Sequence, residues 1–361
     1  MCAAHSDERP RSTLRGVIAL GRALALVALL TPACTEEDAP PAPSAAPPAP
    51  RAASPGPAPP EAPTEPARPA PAPPAPDPAS APPPGARTRV VLLGTGTPIP
   101  DPERAGPCTA VVTDARALLF DAGPGLVRRA TAASRAEPAL GPERLEHVFL
   151  THLHSDHTVG LPDLMRTPWV VGRAAPLHVY GPPGTAALVE HLEQAFTEDT
   201  RVRTTGLEAQ GAGPRVAVRE LGPDEEVRVG GLRVRAFRVD HGAWNPNAYG
   251  YRVEGAERVV VVSGDTAPTD AIVEACDGCD VLVHEAYAED AWRRLPEGTR
   301  RYHRAFHTSA RQLGALAARA RPGKLVLTHL LLFGAEPAAL LAEVREGWAG
   351  PTFVGRDLAR H

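Results

Sequence analysis

The chain has 361 residues, 43 of them proline, and a formal net charge of −4 from 38 basic and 42 acidic side chains. That balance lacks the basic excess of a chain built around a nucleic-acid polyanion, and the composition is not collagenous, disulfide-dense or that of a multi-pass membrane protein. Between positions 40 and 84, 21 prolines alternate mostly with alanine, leaving almost no large apolar side chain to offset the entropy of ordering.

In chain order, the first feature reads as an address. Arg9, Arg11, Arg15 and Arg22 precede an apolar run over residues 23–30, then Thr31-Pro32-Ala33 and Cys34. A basic region, a short apolar core and small residues before a cut site form the pattern of a secretory signal, and eight apolar residues are too few to span a bilayer. The segment resembles a bacterial lipoprotein signal, in which the residue matching Cys34 becomes the lipidated N-terminus. It departs from that pattern at Thr31, where such signals carry leucine. The expected layout is a signal over 1–34, a Pro/Ala-rich disordered tether over 35–87 and a folded domain over 88–361. The expected location is the periplasm or cell envelope, with a membrane anchor through Cys34. Polyproline II at roughly 3.1 Å per residue would let such a tether reach on the order of 150 Å.

The folded part opens with a buried-strand run at 89–94. A hairpin follows at 108–113 and 117–121, then a helix at 126–133 and a strand at 147–150. Residues 177–180 read as a strand and 185–196 as a helix. Strands follow at 216–220, 227–229, 232–240, 249–253 and 258–263. The C-terminal part alternates helix 269–276, strand 281–284, helix 309–320, strand 324–328, helix 337–348 and strand 352–354. Strands with interspersed helices in each half predict an α/β domain of two face-to-face sheets with helices outside. Cys276 and Cys279 form a CxxC pair with no second pair to complete a zinc site; plain packing is the expected role, an exported-protein disulfide the alternative.

The segment His152-Leu-His154-Ser-Asp156-His157 carries the chemistry. It follows an apolar strand and precedes Val159-Gly160-Leu161, a helix start. Three imidazoles and a carboxylate are costly to crowd without a cation, and they form a donor set suited to Zn²⁺ and its neighbours. At a strand end, positions i and i+2 point the same way, so His152 and His154 can clasp one ion. Asp156 and His157, one turn on, can face a second. Asp240-His241, Ser263-Gly-Asp265-Thr266 and Thr328-His329 also follow predicted strands.

HxHxDH after a strand resembles the metallo-β-lactamase superfamily, whose fold is an αββα sandwich of two mixed β-sheets flanked by helices. The resemblance implies a dinuclear site at one edge, with His152, His154 and His241 on one divalent metal. Asp156, His157 and His329 would hold the other, Asp265 would bridge them, and Zn²⁺ is the first candidate. Leu93-Gly-Thr-Gly-Thr-Pro98, Phe120-Asp-Ala-Gly123, His284-Glu-Ala286 and His307-Thr-Ser-Ala310 are similar to the ribonuclease Z and arylsulfatase-like branch. In that branch the residue matching His307 acts on the reacting centre, and Asp156 both ligates and holds the attacking water. His284 and Glu285 are expected to support the ligands.

The resemblance implies a hydrolase of phosphodiester or aryl sulfate esters, with lactones and thioesters as further candidates. The tRNA-processing members carry a long arm between the ligands matching His241 and Asp265, where this chain has only 23 residues (242 to 264). A small-molecule or extracellular ester is therefore the expected substrate, nucleic acid is not expected, and a ribonuclease Z-type RNA 3′-processing endonuclease is the alternative. A metal-binding lipoprotein without turnover is the non-enzyme reading. Trp169, Trp244 and Phe333 lie near the motifs; packing is their expected role and lining a pocket the alternative. The sequence leaves the oligomeric state open.

Overall fold

The computed structural model describes Thr88 to His361, apart from residues 209 and 210. The signal-like segment, the Pro/Ala-rich stretch and Cys34 lie outside the described residues. Two sheets carry the fold. The first has six strands in sequence order: β1 (Arg89–Gly94), β2 (Cys108–Val112), β3 (Ala117–Phe120), β4 (His147–Phe149), β5 (Leu177–Gly181) and β6 (Val216–Glu220). Antiparallel pairing joins β1 to β2 and β2 to β3, and parallel pairing carries β3 through β6.

The second sheet is also mixed. Its members are β7 (Glu226–Val229), β8 (Leu232–Arg238), β9 (Tyr249–Glu254), β10 (Val259–Val262), β11 (Val281–Tyr287), β12 (Leu325–Leu331) and β13 (Thr352–Val354), again in sequence order across the sheet. β7 to β10 form an antiparallel meander, and β10 to β13 run parallel.

Ten helices lie among these strands within the described residues: α1 (Leu126–Ala133), α2 (Ser155–Thr158), α3 (Leu161–Val170), α4 (Thr185–Ala195), α5 (Thr197–Thr205), α6 (Asp270–Cys276), α7 (Glu289–Trp292), α8 (Glu297–Phe306), α9 (Ala310–Ala320) and α10 (Pro337–Arg345). The strand β1 shows why four layers form. Val90 and Leu92 join Phe120, Phe149, Tyr251 and Val260 in a core between the sheets. Their neighbours Val91 and Leu93 face the opposite way, into a second core with Leu126, Leu161 and Leu164 under the helices. With period-two side chains, burial on both faces produces the unbroken apolar run. A third core, with Ile272, Leu313 and Leu340, packs α6, α9 and α10 on the far side of the second sheet. The arrangement is the expected αββα sandwich.

Most predicted strands and helices stand within a few residues of their expected bounds. The strand expected at 232–240 ends at Arg238, so His241 sits on the loop beyond it. The helices α2, α5, α7 and α8 were not expected. Cys276 and Cys279 are disulfide-bonded, which corrects the packing expectation: the bond ties the end of α6 to the approach of β11. No helix among the described residues is long and apolar enough to cross a membrane.

Candidate metal centre

The segment after β4 delivers four donors in one turn. His152 leaves the strand end, His154 caps α2 in extended backbone, and Asp156 and His157 lie on that helix. Gly160 is required behind them. Its amide donates to Ala122 O at 2.8 Å, and a Cβ there would lie 2.2 Å from Gly123 O. This contact docks the segment on the Asp121-Ala-Gly123 loop after β3.

The second sheet supplies the remaining donors from its strand ends. His241 follows β8, Asp265 follows β10, and His329 lies within β12. Across β11 and β12, Glu285 pairs with Thr328 and Ala286 with Leu330, leaving His329 as the extra residue of a bulge. Its φ of 44° lies in the left-handed region that a residue with a Cβ rarely adopts. The bulge turns the imidazole toward the site at a local backbone cost.

These side chains converge in two groups, joined by a third. The donor atoms of His152, His154 and His241 lie within 4.8 Å of one another, as do those of Asp156, His157 and His329. Asp265 joins His152 and His157 in a third such group and so reaches toward both. Its Oδ2 lies 3.4 Å from His157 Nε2 and 3.3 Å from His329 Nε2. Asp156 Oδ2 lies 3.4 Å and 3.3 Å from the same two nitrogens. The sequence-derived set is therefore brought together in full.

Electrostatics divide the two groups. Burial keeps His152 well below the ordinary imidazole range, lowers His154 and pulls His241 down to about 4. At His157 and His329 burial acts the same way, but Asp265 leads the carboxylates that outweigh it and raise both. Burial opposes ionisation of Asp156 and Asp265, yet the neighbouring imidazoles hold both below the usual carboxylate range. His152 Nε2 and His157 Nε2 are buried without a hydrogen-bond partner. Buried polar atoms of this kind need a partner, and neutral imidazoles beside carboxylates are the donor set of borderline divalent cations. The residues present fit a pair of such ions.

Behind the donors stands a layer of fixing contacts. Asp121, left-handed at φ 67°, receives 2.8 Å hydrogen bonds from Thr151 N and from His157 Nδ1. Thr151 Oγ1 donates to Asp121 Oδ2 at 3.0 Å and lies 3.0 Å from His152 Nδ1. His241 Nδ1 donates to Phe306 O at 2.9 Å. These contacts aim the opposite ring nitrogens into the site. Sequence reasoning assigned Asp121 no role, although the Phe-Asp-Ala-Gly motif carried the signal.

His307 arrives from α8, an element sequence reasoning missed. Thr308 N donates to Glu285 Oε1 at 2.8 Å, and Thr308 Oγ1 donates to Thr266 O at 2.7 Å. Ser309 and Gln312 then close a capping box that starts α9. So fixed, His307 Nδ1 lies 3.9 Å from Asp265 Oδ2 and 3.6 Å from Glu285 Oε1, and burial lowers its pKa to about 4. Glu285 and His284 are both buried. His284 Nδ1 donates to Glu285 O at 2.7 Å. A cleft of about 700 Å³ lined by Thr97, Pro98, Ile99 and Val159 opens beside Asp156. Trp169 is buried, as expected, but Trp244 is 86% exposed, against the packing expectation.

Comparison with known proteins agrees with this geometry. Residues 116–330 match the β-lactamase superfamily domain. A ribonuclease Z of Mycobacterium bovis (strain BCG / Pasteur 1173P2) is 37% identical over 276 residues, which cover 75% of this chain and 96% of that protein. The chain belongs to the metallo-β-lactamase superfamily of metal-dependent hydrolases. Within the superfamily it is similar to the ribonuclease Z branch. In fold it is similar to the metallo-β-lactamase fold protein YhfI of Bacillus subtilis, with TM-score 0.58 at 19% identity, covering 76% of this chain and 99% of that one. Human tRNase Z, short form, has TM-score 0.54 at 22% identity, covering 76% of this chain and 98% of the other. The 276-residue match leaves no room in the mycobacterial protein for a long arm that this chain lacks. The short span between His241 and Asp265 therefore does not separate this chain from proteins named ribonuclease Z, which removes one ground for not expecting nucleic acid; the lack of a basic excess stands.

Proposed function

We propose that the chain is a dinuclear-metal phosphodiesterase that cleaves RNA in the manner of its ribonuclease Z relatives. The observation that carries this reading is the match to ribonuclease Z over 96% of that protein's length. The convergent donor set supports it. We propose His152, His154 and His241 as one ligand group, Asp156, His157 and His329 as the other, and Asp265 as the bridge, with zinc the first candidate. Two cations there would supply an acidified water and positive charge for a developing phosphorane oxygen. Asp156, held ionised, positions the attacking water. His307, held by Glu285 and the α8–α9 junction, faces the reacting centre; the anionic phosphodiester would raise its pKa from the buried value, so that it enters the step as imidazolium and gives that proton to the leaving oxygen.

A disulfide buried in the second sheet's helix layer is typical of oxidising compartments, and it supports export together with the signal-like 1–34 segment. We propose that the enzyme acts outside the cytoplasm on RNA it meets there. The test is metal content per chain, followed by turnover of RNA bearing a 3′ extension, a simple phosphodiester, an aryl sulfate, a lactone and a β-lactam. The reading expects about two metals and cleavage of the RNA. Cleavage of the sulfate alone would make the chain an aryl sulfate esterase, and full metal with no turnover would make it a metal-binding protein.

A further inference from the structure

Beyond the metal donors, the site has an edge that its chemistry does not use. Tyr302 on α8 is 47% exposed and stacks on Phe306 with ring centroids 4.7 Å apart. Phe306 in turn stands edge-on to His241 at 5.3 Å. The loop after His241 presses on the same ring, since a Cβ on Gly242 would lie 2.4 Å from Phe306 Cε1. Two residues further along that loop is Trp244, 86% exposed. Phe306 thus carries Tyr302 and the start of the loop that leads to Trp244, and it stands one ring from His241. The Tyr302 ring lies 6.3 Å from His307. Burial, then Asp265 and Asp156, raise its phenol above the usual range, so its hydroxyl side feels the carboxylates of the site.

The same helix carries cations without partners. Arg300 is paired with Glu297, and its guanidinium lies over Trp292 at 5.9 Å. Arg301 and Arg304, one turn apart and both exposed, have no ion pair among the described residues. Other exposed arginines, such as Arg128 and Arg356, also lack an ion pair among the described residues; Arg301 and Arg304 differ from them in sharing a helix with the exposed aromatic Tyr302.

We propose that Trp244, Tyr302 and the Arg301–Arg304 edge of α8 form a strand-holding surface, on which nucleobases flanking the scissile phosphodiester stack while the arginines face their phosphates. This rests on the RNA-phosphodiesterase reading and commits it to a single-stranded substrate. Exposed aromatic faces can be covered only by unstacked bases, because a duplex buries its base faces internally. Stacking tolerates any base, so the surface would hold the strand without reading its sequence.

The probe is a labelled ten-nucleotide 2′-O-methyl oligouridylate, which resists cleavage, titrated into the metal-loaded protein and followed by anisotropy. Trp244→Ala and Tyr302→Ala are each expected to weaken binding roughly tenfold, and Tyr302→Phe to retain it. Arg301→Gln with Arg304→Gln is expected to flatten the log–log salt dependence by about one to one and a half. Bound metal and thermal midpoint, unchanged in each variant, separate loss of contact from loss of fold. Unchanged affinity in the Trp244→Ala/Tyr302→Ala double variant would overturn the proposal while RNA cleavage by the parent keeps the functional reading intact. So would equal competition by an RNA duplex of the same length, or a change of self-association in place of oligonucleotide binding. A parent protein that neither binds the oligonucleotide nor cleaves RNA overturns both.

Discussion

Asp121 lies outside the proposed ligand set, yet it fixes two members of that set, His157 directly and His152 through Thr151. Loss of such a buried carboxylate behind a ligating imidazole usually costs about 10- to 100-fold in metal affinity. Asp121→Ala is expected to fall in that range, measured by competition with a chelating dye. His307→Ala should instead keep both metals and lose on the order of a hundredfold in kcat, the share of one positioned proton donor; loss of metal in that variant would make His307 a ligand. His147 gives a pH prediction away from the metals. It is buried with both ring nitrogens unpartnered, and burial, followed by the neighbouring His178, lowers its pKa to about 3. The unfolded chain, with an ordinary imidazole near 6.5, binds the proton first as pH falls. Stability from this residue is therefore complete above about 6.5 and is lost progressively down to about 3. His147→Phe, which keeps the stack on His178, should show a smaller drop in thermal midpoint between about pH 7.5 and about pH 5 than the parent. The proposed ligands were readable in sequence because four of them crowd into six positions. The motif around Asp121 was also readable, but its role was not, because its partners Thr151 and His157 lie 30 and 36 residues away.

Among the elements, the strands were legible because burial on both faces writes long apolar runs such as Val259 to Val262. The helices that escaped notice lack that signal. The segment of α5 is Thr-Glu-Asp-Thr-Arg-Val-Arg-Thr-Thr, with no fully buried residue, and α8 begins Glu-Gly-Thr-Arg-Arg. α5 has no apolar period and depends on the elements it adjoins, whereas α8 is one-sided but has too few apolar residues, chiefly Tyr302 and Phe306, to stand out. The bulge at His329 was equally silent in sequence, since a one-residue register shift leaves no compositional mark. The CxxC pair was ambiguous for a different reason: spacing permits a bond but does not demand one. The bond closes a short loop at a sequence separation of 3, which by chain entropy contributes about 2 kcal/mol. Replacing both cysteines with alanine should lower the unfolding free energy by about that amount in a denaturant titration, with activity retained because the pair lies outside the donor set.

Taken as a whole, the domain brings four donors from beyond the first sheet to three from the second. Ions bound across that divide would tie the sheets together. Ligand binding to the folded state alone stabilises by about 4 kcal/mol at a thousandfold excess over Kd. Stripping the metals with a chelator is therefore expected to lower the thermal midpoint by several degrees, and zinc to restore it; no shift would mean that the sheets hold without the ions. The organisation of two sheets and their helices followed from pattern alone. The fine position of His307 did not, because it depends on contacts between segments that no local spacing encodes.

Residues 358–361 lie along β1: Leu358 N donates to Leu92 O, and Val90 N donates to His361 O. That pairing covers the outer rim of an almost wholly apolar strand, which would otherwise offer bare amides and carbonyls to any passing chain. A version of the protein cut back before Asp357 should consequently be sticky before it is unstable. Light scattering would rise at temperatures where circular dichroism still reports native secondary structure, and lysines placed along the uncovered rim would keep such a version in solution.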